Sequence, residues 1–159
     1  MDDNDPMPAD APRVSIREVI DEDLPLLYAH QADEASATMA GMPIRDREAF
    51  DAHWARIRHD PATLLRTIVF DGQVAGNVLS FEMKGRREVG YWLDQAMWGK
   101  GIASAALAQM LAIEQRRPLY GHLLKSNLGS RRVLERNGFE YLEDDGPDDL
   151  VLILRGGPA

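Results

Sequence analysis

Residues 91–111, YWLDQAMWGKGIASAALAQML, run from a strand-like apolar stretch through two glycines flanking Lys100 into an amphipathic helical pattern. A strand that turns through glycines into a helix leaves backbone N–H groups unpaired at the positive end of the helix dipole, and together these bind anions. Glycine at 99 and 101 lets a bulky phosphate approach the backbone closely. A second corner of the same kind follows at Asn127, where NLGSRRVLERNGF again opens directly after a short apolar run.

Other chemistries are less well served. The chain has no cysteine, so disulfides, thiolate metal sites and a cysteine nucleophile are excluded. His30, His53, His59 and His122 show no tight ligand spacing, and no metal is expected. A Walker A loop needs four residues between its first glycine and Gly-Lys-Ser/Thr, which GKGIAS lacks. A dinucleotide fingerprint wants a third glycine where Ser104 stands. The net charge of −8, from 26 acidic and 18 basic side chains among 159 residues, argues against a nucleic-acid partner and mildly favours a cationic ligand. No apolar run approaches the ~18 residues of a membrane span, and the acidic start MDDNDPMPADAP is unlike a signal peptide, so a cytoplasmic protein without membrane contact is expected.

The elements that must hold these corners are legible in the patterning. Residues 1–12 and 156–159 are expected to be disordered tails around one domain spanning 13–155. RVSIREV alternates as a half-buried strand, DEDLPLLYAHQAD opens like a helix, and RDREAFDAHWARIRH spaces Phe50, Trp54 and Ile57 as a second helix stopped by Asp60-Pro61. The segment from Ala35 to Arg45 is read as a loop. LLRTIVF, QVAGNVLSFEM and REVGYWL, separated by turns at Asp71-Gly72 and around Lys84-Gly85, predict an antiparallel meander. A helix from Gly99 to about Gln115, the strand PLYGHLL, a helix from Asn127 and a closing hairpin of FEYLEDD and DLVLILR complete the chain. Strand, helix, strand across the first corner predicts a parallel pair.

Taken together, EVGYWL, WGKGIA and N-x-x-S-x-x-V-L-E-R-x-G-F in this order resemble the GNAT superfamily of acyl-CoA-dependent N-acetyltransferases, and within it the branch that acetylates ribosomal-protein N termini and small amines. The resemblance spans about Val14 to Arg155 and is strongest over residues 88 to 139. It implies an α/β (α+β) single-domain GNAT-like fold: a mixed, mostly antiparallel twisted sheet of six to seven strands, helices on both faces, and a central parallel pair splayed for the cofactor. It implies acetyl-CoA as cosubstrate, an amine acceptor (small molecule or peptide N terminus), no metal, and a homodimer as a family-level possibility.

The resemblance also assigns roles. Trp98, Gly99, Lys100, Gly101, Ile102, Ala103 and Ser104 would cradle the pyrophosphate, and Tyr91, Trp92 and Leu93 would line the pantetheine arm. Glu88 is the leading base and Glu82 the runner-up. The Leu93 amide would meet the oxyanion, and Ser130 would hydrogen-bond the sulfur. Asn127 is either a cofactor contact or a helix cap. Arg131 and Arg132 either meet the nucleotide 3′-phosphate or form a solvated face. His53, Trp54 and the segment 35–45 fall where the acceptor pocket is usually shaped.

Two positions depart from the family pattern. Ala96 stands where a Gln or Arg is usual, which leaves the cradle to backbone groups. Leu134 stands where many members carry an acidic tyrosine. These departures motivate an alternative, a domain that binds acyl-CoA without catalysing transfer.

Overall fold

The computed structural model describes residues 13–156; the expectations for residues 1–12 and 157–159 lie outside it. Seven strands form one sheet: β1 (Val14–Arg17), β2 (Leu64–Phe70), β3 (Gln73–Met83), β4 (Arg86–Leu93), β5 (Leu119–Leu124), β6 (Glu140–Asp145) and β7 (Asp149–Leu154). Their spatial order is β1-β2-β3-β4-β5-β7-β6. Every neighbouring pair is antiparallel except β4 and β5, which are parallel as the strand-helix-strand pattern required. The β2–β3 and β3–β4 turns place Asp71-Gly72 and Lys84-Gly85 at positive φ, the conformation that matches a two-residue hairpin to the sheet's twist.

Helices cover both faces. On one, α4 (Ile102–Ile113) and α5 (Leu128–Arg136) bury Ile102, Leu107, Met110 and Leu134 against Ile68, Val78, Val89 and Leu119 of the sheet. The Ala- and Leu-rich sequence of α4 favours helix by propensity, and burial of each large apolar side chain adds about 1.5–3 kcal/mol. On the other face, α1 (Leu24–Gln31) and α3 (Arg47–His59) close over Leu65 with Leu27, Phe50 and Trp54. There Phe50 stacks on Trp54 at 5.3 Å and meets Tyr28 edge-on at 5.4 Å.

One element departs from expectation. Residues within the segment read as a loop form α2 (Glu34–Ala40). The Asp33 side chain accepts from the Ser36 N–H at its start, and Gly41 closes it in the left-handed region, φ 69°. A Cβ on Gly41 would sit 2.9 Å from the Leu124 side chain, so α2 lies close over β5 on the α1 face.

Two buried carboxylates tie loops to this frame. Asp23 accepts from Arg17, the Ile20 N–H and the Thr67 hydroxyl. Glu114, 2% exposed just past α4, accepts from Ser80 at 2.7 Å and from Arg116. Each satisfies the polar groups that burial would otherwise leave costly.

Candidate active site

Strands β4 and β5 meet at one pairing, Glu88 with Tyr120. Past it toward Leu93 they separate, and a cleft of about 680 Å³ occupies the gap. Its walls come from Tyr91–Leu93, from the turn and first residues of α4, from Ser126–Ser130 and the outward side of α5, and from Ser36, Met39 and Ala40 of α2. Because α2 and α5 lie on opposite faces of the sheet, the cleft passes through the sheet between the two strands.

Backbone orientation follows from the ladder. The Asp94 N–H donates to the Ala75 carbonyl at 2.8 Å, and in an antiparallel pair alternate residues point toward the neighbour. Trp92 therefore directs its backbone groups at β3, while Tyr91 and Leu93 direct theirs into the gap. The Leu93 carbonyl already accepts from the Trp98 indole at 3.1 Å. The Trp92 indole donates to the His30 carbonyl at 3.0 Å. Both tryptophans are thus anchored wall, with no free stacking platform.

The glycine corner has the anticipated geometry. Gly99 and Gly101 both adopt φ 79°, a conformation other residues enter only at a cost, and a Cβ on either would meet nothing within 4 Å. The space above the backbone is open, and α4 begins there with Ile102, Ala103 and Ser104 on the cleft wall. Lys100 is not part of that wall, and neither Gln95 nor Ala96 reaches it. Those two lie in a short 3-10 turn capped by the Asp94 side chain. Positive charge comes instead from α5, as Arg132 and Arg136 line the cleft, whereas Arg131 is paired with Glu135 at 3.1 Å. Arg136 escaped the sequence reading, although its spacing one turn beyond Arg132 places both on one helix face.

At the start of α5, Asn127 acts as a cap: its side-chain oxygen accepts from the Ser130 N–H at 3.2 Å. It also lines the cleft with Ser130. The Ser130 hydroxyl lies 2.8 Å from the Tyr91 hydroxyl, a bond across the gap that nothing in the local sequence announces. Burial pushes the Tyr91 phenol above its ordinary value, and the bond with Ser130 offsets part of that rise. Leu134 is turned away into the core, where a Cβ on Gly121 would come within 2.8 Å of it. Asn137 donates to the Ser104 and Val133 carbonyls and so braces the two helices that carry the cleft.

Glu88 does not line the cleft. Alternation along β4 puts it on the face of Trp92 and α2, opposite Tyr91. Burial raises its carboxyl above the usual range, with the nearby charges of His122, Arg86 and Lys84 pulling the other way and Asp145 adding to the rise. His122 sits between Asp145 and Asp149, each 3.1 Å from its Nε2. Glu82 faces the α4 side, where its charge acts on Arg116 beyond the far end of that helix. Trp54 is core, and His53 is a half-buried partner of Arg56. Of the residues anticipated for the acceptor side, only the α2 stretch enters the cleft. Among the described residues, no cluster of side chains could hold a metal, and no helix is long and apolar enough to cross a membrane.

The sequence matches the family model of the GNAT acetyltransferase domain over residues 13–140, and the chain belongs to that family. By sequence alone no curated protein matches it. Among solved structures, a domain from Methanocaldococcus jannaschii superposes with a TM-score of 0.77 at 17% identity, covering 91% of this chain and 99% of that one. A ribosomal-protein alpha-N acetyltransferase, RimL, solved with coenzyme A, gives 0.77 at 15% identity over 92% and 96%. Spermidine N-acetyltransferase from Vibrio cholerae, solved with coenzyme A and spermine, gives 0.76 at 15% over 90% and 95%. Such distant likenesses establish the fold, and the family match establishes the class. Neither lends support to a domain that only binds acyl-CoA.

Proposed function

We propose that this chain transfers the acetyl group of acetyl-CoA to a primary amine, a peptide N terminus or a small cationic amine, by direct attack through a tetrahedral intermediate. The observation that carries this reading is the cleft's passage through the sheet. It lets a thioester laid along Tyr91 and Leu93 from the α5 side meet an amine arriving from the α2 side.

The groups present fit the cosubstrate. Open glycine backbone and the α4 N-terminus suit a pyrophosphate, Arg132 and Arg136 suit further phosphate, and the gap-facing backbone groups of Tyr91 suit the amides of pantetheine. The Leu93 amide is assigned to the oxyanion, an interaction of a few kcal/mol when preorganised. An alkylamine with pKa ~10 is protonated at neutral pH and must lose a proton before attack. Glu88, desolvated on the acceptor face, is assigned that proton, directly or through water. The carboxylates Asp145 and Asp149 on the same face favour a cationic acceptor.

The test is release of coenzyme A from acetyl-CoA in the presence of a panel of N-terminal peptides and polyamines. Release that depends on the amine supports acetyl transfer. Binding of acetyl-CoA without release by any amine would contradict it.

A further inference from the structure

Expulsion of a thiolate requires a proton or a strong hydrogen bond at sulfur, and few side chains lining the cleft can supply one. The wall holds two tryptophans whose N–H groups are committed, several serines, Asn127, apolar residues, and Arg132 and Arg136, which do not give up protons. No carboxyl, imidazole or ammonium group lies among them. Among the described residues, Tyr91 is the cleft-lining residue with the most acidic side-chain proton: ordinary phenols titrate at ~10 and ordinary thiols at ~8.5, and burial carries the Tyr91 phenol above its ordinary value.

We infer that Tyr91 is the proton reservoir for the leaving thiolate, acting through the Ser130 hydroxyl 2.8 Å away. Ser130 alone is too weak an acid to give its proton without replacement. Its position is fixed, because Asn127 accepts from its backbone N–H and Tyr91 holds its hydroxyl. The second turn of α5 offers no substitute, since Leu134 is packed on Gly121. The burial that raises the Tyr91 phenol keeps it protonated until negative charge develops nearby.

The oxyanion's electron pair re-forms the carbonyl of the new amide as the carbon–sulfur bond of the tetrahedral intermediate breaks, and the pair from that bond leaves with sulfur. The Ser130 proton passes to sulfur while the Tyr91 proton passes to the Ser130 oxygen. The surplus proton of the amine nitrogen leaves to the base on the opposite face, and the tyrosinate regains a proton from water. Tyr91 is thus a positioning and relay residue, distinct from the group that touches sulfur.

This inference rests on the acetyl-transfer reading, and the experiment separates the two. The thiol of coenzyme A bound to wild type is titrated by the ultraviolet absorbance of its thiolate, and kcat is measured with an accepted amine. Tyr91→Phe, which keeps the ring packing, is expected to raise the pKa of the bound thiol. It should lower kcat about 10²-fold while coenzyme A affinity stays within twofold. Ser130→Ala is expected to do the same, and the double variant no more than either single one.

An unchanged thiol pKa and kcat in Tyr91→Phe would overturn the relay, as would a loss of affinity equal to the loss in kcat, or losses that add in the double variant. If wild type binds coenzyme A but acetylates nothing, the thiol titration still decides on the Tyr91–Ser130 pair. If wild type binds no coenzyme A, both readings fall.

Discussion

Glu88 and Tyr91 are borne by the same strand, three positions apart, and face opposite sides of the sheet, one toward α2 and the other toward α5. The gap between β4 and β5 opens beside them. In the proposed reaction, the proton taken from the amine and the proton given to sulfur are handled on separate faces of one strand. Each group can hold its own titration range without the other.

Glu88→Gln should lower amine-dependent release of coenzyme A by about 10²-fold or more and leave acetyl-CoA affinity unchanged. Burial raises the Glu88 carboxyl, so its basic form appears only as pH climbs through that raised value. The rate of wild type should rise along the acidic limb of a kcat/KM profile, at higher pH than an ordinary glutamate would give. The variant should lose that limb. Equal turnover by the two proteins would remove Glu88 from the base role.

Gly99→Ala and Gly101→Ala place a side chain where φ is 79°. Each should destabilise the fold by about 1–2 kcal/mol, from backbone strain alone because no atom is in the way. Acetyl-CoA affinity should fall tenfold or more, since the added methyl fills the open space over the cradle. Thermal unfolding and calorimetric titration measure the two effects separately. Unchanged affinity would place the pyrophosphate elsewhere.

Most of the fold was legible because its signals are local. Alternation gave the strands, Asp71-Gly72 and Lys84-Gly85 gave the hairpins, and the glycine corner fixed the crossover between the parallel strands. Helix α2 was missed because EASATMA has small residues and little apolar periodicity. Its caps, Asp33 and Gly41, were the available signal. The Tyr91–Ser130 bond joins residues 39 apart in sequence through the tertiary fold, beyond the reach of any spacing rule. The opposite orientation of Glu88 and Glu82 was available from strand alternation but needed the register of β3 against β4 to be tied to particular helices.

Glu114 offers a stability prediction outside the site. Burial alone would raise its carboxyl, yet hydrogen bonds from Arg116 and Ser80 hold it down at about 2, against 4.5 when unfolded. A depressed carboxylate stabilises the fold above its unfolded value, and that contribution is lost as pH falls from about 4.5 toward 2. Its size is roughly 2–3 kcal/mol, toward the lower figure because Arg116 is half exposed. Glu114→Gln should lose most of it at neutral pH and flatten the acid limb of denaturant unfolding curves. An unaltered acid limb would show that the ion pair is not what holds the end of α4.

Gly121→Ala should cost about 1–3 kcal/mol by overpacking, because the new methyl lies 2.8 Å from Leu134. Shortening the neighbour in the double variant Gly121→Ala, Leu134→Val should recover part of the loss. Urea unfolding of the four proteins measures the coupling. Strict additivity would contradict direct contact between β5 and α5 at this point.

The most direct test of acetyl transfer through the β4–β5 gap is mass spectrometry of an amine panel after incubation with acetyl-CoA and either wild type or Glu88→Gln. Acetyl transfer through the gap predicts a gain of one acetyl group on a primary amine with wild type, and little or none with the variant despite equal acetyl-CoA binding. Acetyl-CoA binding by wild type with no acetylated product from any amine would contradict it.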